Sequence, residues 1–251
     1  MEKSYWGKAM TINYLLLDAL IILFPFLLSF TWKFRYYKFY KPLFASIVIV
    51  GGVYIFWDII VTARGDWWFN HEYLVDVGFT LGGIPIEEAL FFVVVPYSCI
   101  FIYENLNYFF NDKKISFNKW IYYGIAAILF IVGTIFYHQD YTILALFAVS
   151  AFFIIAATWF PEIVQSRNYW GYILISFVAF LIFNYLLTSI PIVLYNPDAI
   201  WGGTVDQIWY GRLITIPFED FFYNYSMLSF YLLVYIYFKE HWMNIARQKK
   251  T

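Results

Sequence analysis

Charge is what this chain has least of. Asp, Glu, Lys and Arg make up 13% of its 251 residues, against about 25% in an ordinary soluble domain. The formal net charge is −1, so nothing asks for nucleic acid or another polyanion as partner. The single cysteine, Cys99, lies in an apolar run, which excludes a disulfide framework and cysteine-based metal sites. Neither G-x-G-x-x-G nor G-x-x-x-x-G-K-[ST] occurs, so no dinucleotide fold and no P-loop is indicated. Paired Asp-rich motifs for Mg-diphosphate are missing, which argues against a prenyltransferase. The last apolar stretch has no lysine for a retinal Schiff base. His71-Glu72 are two adjacent donors without a third, so no metal is expected.

What the chain has is apolar length. Hydrophobic residues are 63% and aromatics 25% of the sequence, with 11 Trp, 24 Tyr and 29 Phe. Seven stretches can each cross about 30 Å of hydrocarbon, which takes about 20 helical residues. They are 11–31, 43–62, 84–108, 120–137, 141–159, 170–190 and 215–238. The expected fold is therefore an all-α integral membrane protein, since alternating strand-length segments for a barrel are lacking. Bulky Ser29-Phe30-Thr31-Trp32 stands where a signal peptide would need small residues, so the first span is expected to stay. Lys and Arg favour an outside N-terminus: twelve fall on the inner segments, and only Lys3, Lys8, Arg64 and Arg212 on the outer.

The chain also repeats itself. Tyr14 and Tyr141, Trp32 and Trp159, and Phe56 and Phe183 are each 127 apart, and Ile84-Pro85-Ile86-Glu87-Glu88 recurs 132 later as Ile216-Pro217-Phe218-Glu219-Asp220. Spans one to three then correspond to spans five to seven. A shift of four helices is even, so the repeats run parallel. The division is 1–111 for the first repeat, 112–138 for a linker with spacer span four, and 139–251 for the second repeat.

Acids inside spans are the informative residues, because each costs about 2.5–3.5 kcal/mol at the centre of a bilayer. Asp18 lies roughly 10 Å into the first span at 1.5 Å per residue. Asp58 is near the outer end of the second, Glu87 and Glu88 open the third, and Glu219 and Asp220 open the seventh. Proline followed by acids is also a good helix start. Against that plain interpretation, the motif occurs twice, and each copy runs directly into aromatics, Phe91-Phe92 and Phe221-Phe222-Tyr223. Adjacent acids diverge by about 100° on a helix, so one of each pair can face the interior. A neutral carboxylic acid walled by rings can donate a proton, and the cation formed can rest on ring faces. Trp57-Asp58 and the outer-loop run Trp67-Trp68-Phe69 add aromatics that suit either a pocket or an interfacial belt.

These motifs resemble the flavin-independent, membrane-integral lycopene cyclases of carotenoid biosynthesis. Their two related halves occur as separate subunits in some bacteria and fused in others. The resemblance rests on Trp57-Asp58, Gly65-Asp66-Trp67-Trp68-Phe69, and the doubled P-x-E-[ED] hallmark at Pro85–Glu88 and Pro217–Asp220. It departs in the second half, where Asn184-Tyr185 replaces Trp57-Asp58. The resemblance implies a cofactor-free isomerase, a lycopene β-cyclase that protonates an open end of lycopene, closes a β-ionone ring and loses a proton. It further implies Glu87 and Glu219 as the acid/base pair, with Glu88, Asp220 and Asp58 tuning or relaying protons. Trp57, Trp67, Trp68, Phe91, Phe92 and Phe221 would line the pocket, and the setting would be a bilayer such as the bacterial cytoplasmic membrane. A proton-coupled carrier, a carotenoid hydratase and a scaffolding subunit are the alternatives.

Overall fold

The computed structural model describes residues 12–31, 33–75, 78–115, 117–203 and 211–248, with side chains as far as Trp242. Trp32 and the cations Lys3, Lys8, Lys249 and Lys250 lie outside the described residues. The fold is an all-α membrane protein. Its main helices are α1 (Tyr14–Thr31), α2 (Tyr36–Arg64), α3 (Ile86–Phe109), α4 (Lys119–Ile135), α5 (Asp140–Trp159), α6 (Arg167–Ser189) and α7 (Phe218–Gln248). Six are long and apolar enough to cross a membrane, and α4 is a shorter apolar helix of 17 residues.

Span α2 begins seven residues before its expected start. A 3-10 turn at Tyr36–Phe39 leads into it, and Pro42 sits in the first α-turn, where a missing N–H leaves no bond unmade. At Ile47–Gly51 it widens into a π-helical turn. Two other prolines stand deep inside helices, and each frees a carbonyl four residues back. Both carbonyls find new donors. Pro25 of α1 frees Ile21, whose oxygen accepts from Ser98 Oγ at 3.0 Å. Pro96 of α3 frees Phe92, whose oxygen accepts from Tyr231 Oη at 2.7 Å. That tyrosine fits only because residue 51 is glycine, since a Cβ there would lie 2.9 Å from its hydroxyl. The spans therefore run unbroken while the prolines tie neighbouring helices together.

Packing follows one pattern twice. Helix α3 packs on α1, and α7 packs on α5; α2 crosses onto α7, and α6 crosses onto α3. Each motif helix thus touches the first helix of its own half and the second helix of the other. Helix α4 pairs with α5 across the tight turn at 136–139, and Phe130 of one helix stacks on Phe147 of the other at 4.6 Å. Three two-stranded ribbons gather at the end where the motifs begin. β1 (Trp67–Phe69) pairs antiparallel with β4 (Val193–Tyr195), joining the two halves. β2 (Thr80–Leu81) pairs with β3 (Ile84–Pro85), and β5 (Arg212–Leu213) pairs with β6 (Ile216–Pro217) in the same register. These hairpins explain why α3 and α7 start two or three residues later than expected. Their turns need left-handed backbone, supplied by Gly82 and Gly83 in the first and by Ile214 (φ 59°) in the second.

Candidate active site

A cavity of about 610 Å³ opens between α1, α3, α6 and α7, closed at the motif end by β1 and β4. Its wall runs along α3 from Glu88 to Ile102, a depth of about 21 Å at 1.5 Å per residue. On the lipid side the wall includes Leu20 and Phe24 of α1 and Ile182 of α6, all three exposed on the outer face of the bundle. The chamber is therefore apolar, and it reaches the lipid between α1 and α6.

Two carboxyl groups stand in this wall, Glu88 from the first motif and Asp220 from the second. Each takes a hydrogen bond from the tyrosine that opens the first helix of its own half. Tyr14 Oη donates to Glu88 Oε2 at 2.7 Å, and Tyr141 Oη donates to Asp220 Oδ1 at 2.7 Å. The equivalence ends there. Asp220 Oδ2 also accepts from Asn184 Nδ2 at 2.9 Å and from Tyr195 Oη at 2.8 Å. Among the described residues Asp220 has three donors, which suit its ionised, acceptor-only form, and Glu88 has one, which leaves room for a proton of its own.

The preceding glutamates point away from the chamber and pin loops. Glu87 Oε1 accepts from the Val75 amide at 2.7 Å. Glu219 Oε1 accepts from the Trp201 amide at 2.7 Å and from the Thr142 hydroxyl. Both are buried, yet neither belongs to the cavity wall. The 100° divergence between adjacent helical residues thus places the second acid of each pair inside and the first against the loop.

Rings enclose the carboxyl end of the chamber. Trp67 lies 4.8 Å edge-on to Tyr141, 6.3 Å from Tyr195 and 6.4 Å from Tyr223. Tyr141 stacks on Tyr195 at 6.0 Å, and Phe91 borders Tyr14 at 6.5 Å. Trp67 is fixed from behind, because its Nε1 donates to Asp58 Oδ1 at 2.8 Å. The strand around Trp67 is held at the neighbouring Asp66, where Arg64 bridges Asp66 at 2.6 Å and Asp140 at 2.9 Å. Burial pushes the Asp66 carboxyl above the usual range, and Arg64 opposes the shift. Arg212 is buried in the β5 turn, donating to the Thr215 carbonyl at 2.8 Å, and that burial lowers its guanidinium below the usual value.

Of the expected pocket residues, Trp67 and Phe91 stand in the wall with Glu88 and Asp220. Trp68, Trp57, Phe92 and Phe221 do not. Strand alternation turns Trp68 outward while Trp67 and Phe69 face in. Trp57 stacks on Tyr54 at 5.5 Å and meets the ring of Tyr223 at 5.1 Å. Phe92 is fully buried against Tyr54 at 6.4 Å, on the α2 side. Phe221 packs on Phe180 at 5.2 Å. Asp58 supports Trp67 without reaching the wall. The residues that sequence reasoning passed over are tyrosines: Tyr14 and Tyr141 were visible only as repeat markers, and Tyr195 carried no signal. Glu104 was also passed over. It is an acid buried near the far end of α3, bonded to Lys239 Nζ at 2.6 Å and Tyr235 Oη at 2.8 Å.

Comparison with known families agrees with this architecture. The Lycopene cyclase family model matches residues 11–106 and 138–238. No curated protein and no solved structure matches the chain. The first matched segment takes in Tyr14 and Glu88 and the second Tyr141 and Asp220, and together they cover well over half of the length. This chain belongs to the lycopene cyclase family.

Proposed function

We propose that the protein closes β-ionone rings on the ends of lycopene, an isomerisation that moves no electrons and requires no cofactor. One observation carries the proposal: Glu88 and Asp220, one from each motif, share the wall of a single apolar, ring-lined chamber. Glu88, in its acid form, gives a proton to the terminal double bond and leaves a tertiary cation. A neighbouring double bond attacks this cation, which forms the ring's C–C bond and moves the charge into the ring. Asp220, ionised and held by three donors, takes a ring proton to leave the β-ionone double bond. Ring faces of Trp67, Tyr141 and Tyr223 stabilise the cation between these steps, an effect of about 2 kcal/mol or more per contact when desolvated. Glu87 and Glu219 act as positioning carboxylates that hold the loops closing the chamber, and Asp58 does so through Trp67.

The polyene enters from the bilayer between α1 and α6, where the wall meets lipid. The Lys and Arg bias supports placing the motif end outside, the opposite end in the cytoplasm, and the whole in a bacterial cytoplasmic membrane. The repeated packing supports two fused halves, 1–111 and 139–251, joined through spacer helix α4. A hydratase would share the protonation and let water capture the cation, but an apolar wall favours ring closure.

Pigment analysis in a lycopene-accumulating host tests the reading. The wild-type chain is expected to yield β-ringed carotenoid, and Glu88→Gln and Asp220→Asn none. An alcohol product would favour the hydratase, and ring formation by Glu88→Gln above a tenth of the wild-type yield would refute the assignment.

A further inference from the structure

Ring closure by two different carboxyls leaves a debt of position. After each event the proton has left Glu88 and another has arrived on Asp220, so Glu88 must be recharged before the next ring can close. The groups around Glu88 show where that proton can come from. Asp18 on α1 is only 2% exposed and stands one turn beyond Tyr14, on the same helix face. Neither of its carboxyl oxygens has a hydrogen-bond partner among the described residues, and it is not part of the cavity wall. It lies near enough to Glu87 and Glu88 to interact with both electrostatically. The ionisable groups around it are Tyr14 on its own helix and Glu87 and Glu88 on α3; Asp58 on α2, whose Oδ2 is also unpartnered among the described residues, neighbours Tyr14 and Glu88. No lysine, arginine or histidine is among these groups.

A buried aspartate with no bond to hold and no substrate to touch does nothing for packing that leucine would not do better. Its distinguishing property is that it can carry a proton. Glu87 is bonded to the loop amide of Val75 and directly precedes Glu88 on α3. We propose that Asp18 relays protons from Glu87 at the loop to Glu88, recharging the acid after each ring closure. The step is balanced: one proton passes from Asp18 to Glu88, one from Glu87 to Asp18, one from water at the loop to Glu87, and Asp220 returns one to water at the motif end. This inference rests on Glu88 being the acid.

The test is turnover by the full-length protein in proteoliposomes supplied with lycopene, comparing the first ring formed per enzyme with the steady state. Asp18→Asn is expected to leave the first ring closure at the wild-type rate and to slow later turnovers at least ten-fold. Asp18→Leu is expected to resemble Asp18→Asn. A wild-type steady state in either Asp18 variant overturns the relay. So does an equal loss in first and later turnovers, or failure of both variants to accumulate in the membrane, since each marks a structural role. Glu88→Gln serves as the separate control: if it still forms rings, the acid assignment fails, whereas a neutral Asp18→Asn beside an inactive Glu88→Gln removes only the relay.

Discussion

Glu88 offers two substitutions that separate its proton from its position. Glu88→Gln keeps the length and shape of the side chain, and its amide oxygen can still accept from Tyr14 Oη, now 2.7 Å away. What it loses is the transferable proton. General acid catalysis typically contributes about 10²- to 10⁴-fold, so the barrier should rise by about 2.7–5.5 kcal/mol. Glu88→Asp keeps the proton and loses the reach, because removing one methylene draws the carboxyl back by about 1.5 Å, the length of a C–C bond. It also breaks the Tyr14 contact. A misplacement of that size costs about 10²-fold. Because the glutamine is isosteric, thermal unfolding in detergent should be close to wild type for Glu88→Gln, while turnover falls by the full factor. Ring formation is measured by pigment chromatography against the amount of membrane protein. Glu88→Gln retaining more than a tenth of wild-type turnover would refute the acid role, and Glu88→Asp at full activity would refute the requirement for position.

Three further outcomes are expected. Trp67→Phe, which loses the bond to Asp58, should lower turnover several-fold, whereas Trp68→Ala on the outward face should leave it within two-fold; pigment yields that fall equally would contradict the strand alternation. Tyr231→Phe should destabilise the protein by about 1–3 kcal/mol by orphaning the Phe92 carbonyl. The loss should be much smaller beside Pro96→Ala, which restores a backbone donor, and a double-mutant cycle of unfolding in detergent reads the difference. Phe24→Trp, at a position 69% exposed and on the cavity rim, should raise KM for lycopene in vesicles with kcat unchanged; an unchanged KM would place the entry route elsewhere.

The sequence by itself determined the class, the spans and the repeat. Apolar length sets membrane helices because backbone groups in hydrocarbon must bond within their own segment, and that rule needs no knowledge of neighbours. The doubled Pro-x-acid-acid motif was equally legible, as was the choice of acids as the chemistry-bearing residues. Which acid of each pair faces the chamber was decided only by tertiary structure. Adjacent residues on a helix differ by about 100°, and nothing local says which direction leads inward. That depends on α3 being packed between α1 and α6 and α7 between α5 and α2, contacts that bring residues from both halves around one space. The same holds for Tyr14 and Tyr141, ordinary span openers by sequence, which become carboxyl partners because α1 and α5 lie against the motif helices. Trp68 and Phe92 show the converse: aromatic type is written in the chain, but the side of a strand or helix that meets the cavity is fixed only when the whole bundle closes.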